Sequence, residues 1–165
     1  MIVEGRAWVV GDDISTDLLY PQVAYTMPLA EAARMVFRAN RPGWSDLVEP
    51  GDLIVGGRSF GIGSSRPAVA LLRELGIAGT FAESFSNLYF RNCVNFALPA
   101  LAIPGILSIV EEGDRIRVDL ATGTAENLRT GASVGGPPLP PELLSIVEQG
   151  GVMAALEAQG YLAPE

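Results

Sequence analysis

The sequence predicts an α/β fold with a mostly parallel central sheet, and three observations carry that expectation. Short apolar runs at residues 52–56, 77–82 and 98–103 are separated by two stretches of helical periodicity, 67–75 and 83–94. Strand, helix, strand, helix, strand in that order builds a parallel core through right-handed crossovers. Gly76 follows the last apolar residue of the first helical stretch, where a helix commonly ends on a residue that tolerates positive φ. Finally, 165 residues with 48% hydrophobic and 18% charged content suit one globular domain, residues 1–165, with a substantial core.

Taken in order, residues 5–10 alternate weakly and then turn apolar, as a first strand would. Residues 11–17 are turn-rich. Leu29, Ala32, Ala33, Val36 and Phe37 recur at helical spacing over 28–39, with Pro28 suited to the first turn. Residues 40–51 carry Pro42, Gly43 and Pro50 and read as a loop before the strand at 52–56. The helix from Pro67 has Val69, Leu71, Leu72 and Leu75 on one face, and the helix at 83–94 is opened by Ser84 or Ser86. Arg115 to Leu120 alternates charged and apolar residues, so 115–120 and 125–128 are expected to pair as a hairpin across Thr122-Gly123. A final helical stretch follows Pro141 and is broken at Gly150-Gly151.

Composition removes several classes of function. The formal charge of −8 disfavours nonspecific binding to nucleic acid or to an anionic membrane. No apolar run reaches the roughly 18 residues of a membrane span, and the first residues lack a signal-peptide pattern, so the expected location is the cytoplasm. There is no histidine and one cysteine, Cys93. The chain therefore has no zinc site of the usual kind, no histidine-dependent nucleophile and no iron–sulfur ligand set of its own. Cys93 sits between apolar neighbours and is expected to be a buried, inert thiol.

Two segments carry chemistry. Gly57-Arg58-Ser59-Phe60-Gly61-Ile62-Gly63-Ser64-Ser65-Arg66-Pro67 places three glycines, three serines and two arginines between a strand and a helix. Glycine lets a ligand approach the backbone, helix-start N–H groups favour an anion, and arginine can clamp a carboxylate or phosphate bidentately. A tight turn with a serine cap would use the same residues. The spacing fits neither a dinucleotide fingerprint, a P-loop nor a nucleophile elbow. Gly11-Asp12-Asp13-Ile14-Ser15-Thr16-Asp17 puts three aspartates in six residues, which suits a turn or a divalent cation without matching an EF-hand loop.

With Ala82-Glu83-Ser84-Phe85 and Arg91-Asn92 beside them, these segments resemble one family closely. The chain is similar to the small subunits of 3-isopropylmalate dehydratase, the separately encoded swivelling domain of the aconitase superfamily. Residues 11–21 match its Gly-Asp-x-x-x-Thr-Asp-x-x-x-Pro segment, residues 57–66 its glycine–serine–arginine signature, and residues 82–92 the strand and helix that follow. The resemblance runs from about residue 5 to 120. It implies a swivelling β/β/α domain like the C-terminal domain of aconitase. It also implies a hydro-lyase that isomerises a 2-hydroxy acid by dehydration and rehydration, as in leucine biosynthesis.

On that resemblance Ser64 is the base that takes the proton α to a carboxylate, and Asp17 lies in the cleft near the partner's catalytic groups. Ser65 and Arg66 bind substrate carboxylate, with Arg58 and Thr26 as further substrate-binding residues. A serine hydroxyl ionises far above neutral pH, so its alkoxide needs adjacent N–H groups and a guanidinium in a dry cleft. A [4Fe-4S] cluster is implied in a large catalytic subunit, with none bound by this chain. The assembly is a heterodimer or heterotetramer, and this chain alone is inactive. An isolated chain is expected to self-associate through its uncovered face.

Two departures from the family pattern bear on specificity. Pro67-Ala68-Val69 stands where Glu-His-Ala is usual, which removes a charged pair near the cleft. Gln22-Val23-Ala24-Tyr25-Thr26-Met27 occupies the substrate-selecting loop without an arginine, which favours a small or apolar substituent over a third carboxylate. Isopropylmalate is the leading substrate. Another alkylmalate, citraconate or 2-methylmalate, homoaconitate, or a non-catalytic binding domain with the same fold are the alternatives.

Overall fold

The computed structural model describes residues 1–63 and 67–162. Its centre is a seven-stranded sheet in the order β4-β3-β2-β1-β5-β6-β7. These strands are β1 (Ile2–Val9), β2 (Leu53–Gly56), β3 (Gly79–Ala82), β4 (Ala100–Ala102), β5 (Arg115–Asp119), β6 (Thr124–Asn127) and β7 (Ser133–Gly135). The strands β1 to β4 are parallel neighbours, and β5 to β7 extend the sheet antiparallel. One strand serves both halves. The first part of β1, from Ile2 to Arg6, pairs with β5, while Ala7, Trp8 and Val9 pair with β2.

The helices are α1 (Thr16–Leu19), α2 (Leu29–Ala33), α3 (Trp44–Leu47), α4 (Ala68–Glu74), α5 (Asn87–Asn95), α6 (Pro141–Glu148) and α7 (Val152–Ala158). The βαβ units over β2-α4-β3-α5-β4 fall where the hydrophobic pattern puts them. Gly76 (φ +83°) ends α4 as expected, with the Ile77 N–H returning to the Leu72 carbonyl at 3.0 Å. The helix starts follow expectation in position but not in capping. Pro67 holds the position before α4 and Ser86 that before α5, and neither supplies a side-chain cap. The helix expected over 28–39 stops at Ala33, because Phe37 turns to φ +58° and gives its N–H to the Leu18 carbonyl at 2.8 Å. The loop at 40–51 contains α3, whose Trp44 is buried.

Alternate residues of the central strands feed two cores. Trp8, Ile54 and Ala82 face a cluster with Leu19, Phe37, Trp44, Leu71, Leu72, Tyr89 and Cys93 from the helices. Leu53, Val55 and Phe81 face a second cluster with Ile116, Val118 and Ala125. Parallel and antiparallel strands thus line one apolar interior, and the sheet curls around it. The curl brings the two ends of the sheet close: a Cβ on Gly136 would lie 2.9 Å from the Ala102 carbonyl oxygen, and one on Gly105 3.3 Å from Val134.

Buried carboxylates tie the far end of the sheet. Asp52 accepts hydrogen bonds from Arg6 (2.6 and 3.1 Å), the Trp8 indole (2.8 Å) and the Glu49 N–H (2.9 Å). Burial opposes its ionisation, but these donors outweigh that and hold it below the usual carboxylate range. Arg6 and Arg41 both lie over the Trp8 ring, 4.9 and 5.1 Å from its centroid, and Arg41 pairs with Glu112. Asp114 bonds Arg129 and Asn127, and the Arg129 guanidinium holds it well below the usual range.

Candidate active site

The loops that leave the carboxyl ends of β1, β2 and β3 meet on one side of the sheet, the position at which parallel α/β sheets bind ligands. Backbone hydrogen bonds join them like a ladder. The loop after β1 gives the Asp13 N–H to the Arg58 carbonyl (2.8 Å) and the Thr16 N–H to the Ile62 carbonyl (2.8 Å). In return the Gly57 N–H reaches the Gly11 carbonyl (3.1 Å) and the Gly61 N–H the Ile14 carbonyl (2.7 Å). On the other side, the Phe60 N–H donates to the Ser84 carbonyl (3.0 Å) and the Ser86 N–H to the Phe60 carbonyl (2.8 Å). The glycine–serine loop is therefore the middle rung of three.

Side chains complete the stitching. Asp12 Oδ1 accepts the Arg58 N–H at 2.7 Å, and Ser84 Oγ accepts the Ser59 N–H at 2.9 Å. Glu83 takes the Gly105 N–H (2.6 Å) and the Leu107 N–H (3.1 Å), which fastens the end of β3 to the turn after β4. Two glycines make the close approach possible. A Cβ at Gly57 would overlap Asp12 Oδ1, and one at Gly61, which sits at φ +82°, would overlap the Tyr89 ring. Ser59 stands in the left-handed region at φ +56° without being glycine.

The residues expected from sequence are distributed as follows. Asp17 lies in α1, a single turn capped by Ser15, whose Oγ accepts the Leu18 N–H at 3.3 Å, and its carboxylate is exposed. Arg58 is exposed, and among the described residues none accepts a hydrogen bond from its guanidinium. The ladder bonds the loop that leads into Asp17 to the loop that carries Arg58. Thr26 is exposed and follows Tyr25, whose ring packs edge-on against Tyr20 at 5.1 Å, so its loop is held to the residue that closes α1. Ser64, Ser65 and Arg66 lie outside the described residues; they follow Gly63 directly in the chain.

Sequence reasoning did not foresee that Asp12 and Ser84 bond the backbone of the glycine–serine loop. The three aspartates read as a turn or a cation site, yet Asp12 spends its oxygen on the motif's backbone. Among the described residues no group of three or more histidine, cysteine or acidic side chains could hold a metal ion. An iron–sulfur cluster does not fit this chain either: its one cysteine, Cys93, is buried, and burial pushes its thiol up to about 12. A groove of about 320 Å³ lies beside the loops, between Phe85, Phe90 and Pro138. Among the described residues no charged side chain lines it.

No helix among the described residues is long and apolar enough to cross a membrane. The fold and loop cluster are those of an aconitase-type swivelling domain, and residues 34–105 match the family model of the aconitase C-terminal domain. The chain is 41% identical, over 94% of each sequence, to the isopropylmalate/citramalate isomerase small subunit of Methanocaldococcus jannaschii. It is 36% identical to the methanogen homoaconitase small subunit of Methanothermobacter thermautotrophicus, covering 92% of this chain and 89% of that one. A crystal structure of 3-isopropylmalate dehydratase from Methanocaldococcus jannaschii superposes with a TM-score of 0.89 at 28% identity, covering 98% of this chain and 96% of that chain. The chain belongs to the 3-isopropylmalate dehydratase small-subunit family.

Proposed function

We propose that this chain is the small subunit of a hydro-lyase that isomerises isopropylmalate by removing and re-adding water. The observation that supports the reading is the three-loop ladder, which ties the loop carrying Asp17 to the loop carrying Arg58, the latter continuing in sequence into Ser64-Ser65-Arg66. Ser64 takes the proton α to a substrate carboxylate. Ser65 and Arg66 hold that carboxylate, Arg58 adds a second guanidinium at the mouth, and Thr26 lies beside the substrate's variable group. Asp17 faces the partner's half of the cleft. Residues 1–165 act as one swivelling domain.

A large subunit supplies what the composition lacks. With no histidine and one buried thiol, this chain holds neither a general base of the usual kind nor cluster ligands, and the [4Fe-4S] cluster belongs to that partner in this reading. We place the pair in the cytoplasm, where reducing conditions suit a free thiol. The absence of an arginine from residues 22–27 favours an alkyl substituent, and a relative named for both isopropylmalate and citramalate supports that class.

The test is to combine this chain with its large subunit and follow isopropylmalate, citramalate and homoaconitate side by side. Turnover of the alkylmalates by the pair, and by neither chain alone, is expected. Preferential turnover of the tricarboxylic acid would overturn the specificity. Ser64→Ala should lower kcat by at least roughly a hundredfold with assembly intact; near-normal kcat would remove Ser64 from its role.

A further inference from the structure

We infer that Asp12 and Ser84 are positioning residues that grip two consecutive amides of the glycine–serine loop and thereby aim its reacting end. This rests on the hydro-lyase reading. The Asp12 carboxylate, from the loop after β1, accepts the N–H of Arg58 at 2.7 Å; the Ser84 hydroxyl, from the loop after β3, accepts the N–H of Ser59 at 2.9 Å. Neither side chain belongs to the set assigned to substrate. Each reaches across from a different strand, so the peptide units at 58 and 59 are held from both flanks.

The grip is specific to that point. Asp12 Oδ1 is so close to the loop that any side chain at position 57 would displace it, and Ser59 is held in the left-handed region that a non-glycine residue adopts only when its surroundings enforce it. Carbonyls are engaged as well: the Arg58 carbonyl accepts the Asp13 N–H, and the Ser84 carbonyl accepts the Phe60 N–H. With both amides and the flanking carbonyls engaged, Asp12 and Ser84 fix the peptide units at 58 and 59, and the ladder bonds at Phe60, Gly61 and Ile62 carry that placement along the loop as far as the residues before Ser64. A displacement of about 1 Å at a reacting group can cost on the order of a hundredfold in rate.

The experiment uses the assembled enzyme for kinetics and the full chain for amide hydrogen exchange. Asp12→Ala should speed exchange at the Arg58 amide, and Ser84→Ala at the Ser59 amide. Each should lower kcat by on the order of tenfold to a hundredfold, with KM and thermal midpoint nearly unchanged. Asp12→Asn and Ser84→Thr keep an acceptor oxygen and should restore kcat. Unchanged kcat in both alanine variants of a working enzyme would overturn the inference. So would equal loss in the alanine and conservative variants, since that marks a structural requirement for the native side chain. If the wild-type pair turns over none of the acids while exchange still rises selectively at these two amides, the substrate reading fails and the grip stands.

Discussion

At the scale of single residues, the site is governed by how closely backbones approach. Gly61 combines a left-handed conformation with contact against Tyr89, so Gly61→Ala carries both backbone strain and overpacking. It is expected to cost roughly 3 kcal/mol, read as a lower urea midpoint; a loss below about 0.5 kcal/mol would mean that the ring has room to move. Cys93 is fully buried with its thiol raised to about 12. Maleimide should therefore leave the native chain unlabelled at neutral pH and react only as it unfolds, and stoichiometric native labelling would contradict that burial. The inert thiol and the glycine–serine loop were both legible in the sequence. The clamp by Asp12 was not, because an aspartate in a turn looks the same whether it bonds its own loop or another.

At the scale of elements, local pattern located what is locally determined. The short apolar runs found β2, β3 and β4, and Thr122-Gly123 found the β5–β6 hairpin, since each is set by nearby apolar and turn residues. The end of α2 was misread because it depends on the bond from Phe37 to Leu18, nineteen positions away. Strand β7 was missed because Ser133-Val134-Gly135 is too short to show a period. The Asp114–Arg129 pair, between the start of β5 and the residues after β6, makes a pH prediction. Arg129 lowers the folded pKa of Asp114 beneath its ordinary value of 3.8. The stabilisation is complete above that value and drains away as pH falls below it toward the lower folded value. Arg129→Leu should flatten the acid limb of a thermal-midpoint profile and leave its shape near neutrality alone. An unaltered acid limb would show that other carboxylates dominate acid unfolding.

At the scale of the whole molecule, the parallel half supplies the loops and the antiparallel half closes the second core. A deep core substitution such as Leu72→Ala, on the helix that follows the glycine–serine loop, should cost about 2–5 kcal/mol, and it should weaken assembly and activity together. Loss of activity with unchanged stability would instead give α4 a direct part in the site. That a partner subunit completes the chemistry was implied by the family resemblance, and the lack of histidine and the single thiol agree with it. The meeting of the three loops was not legible, because it joins residues distant in sequence.

The curl of the sheet has a consequence for solubility. Unpaired outer strands invite neighbouring chains to add on, and the usual defence is to keep them short or cover them. Here both outermost strands, β4 and β7, are three residues long, and Gly136 backs onto the Ala102 carbonyl at one of them. Little edge remains for a foreign strand to extend. Any self-association of the isolated chain is therefore predicted to avoid strand addition, and light scattering on dilution checks this, since irreversible strand-like aggregates would contradict it.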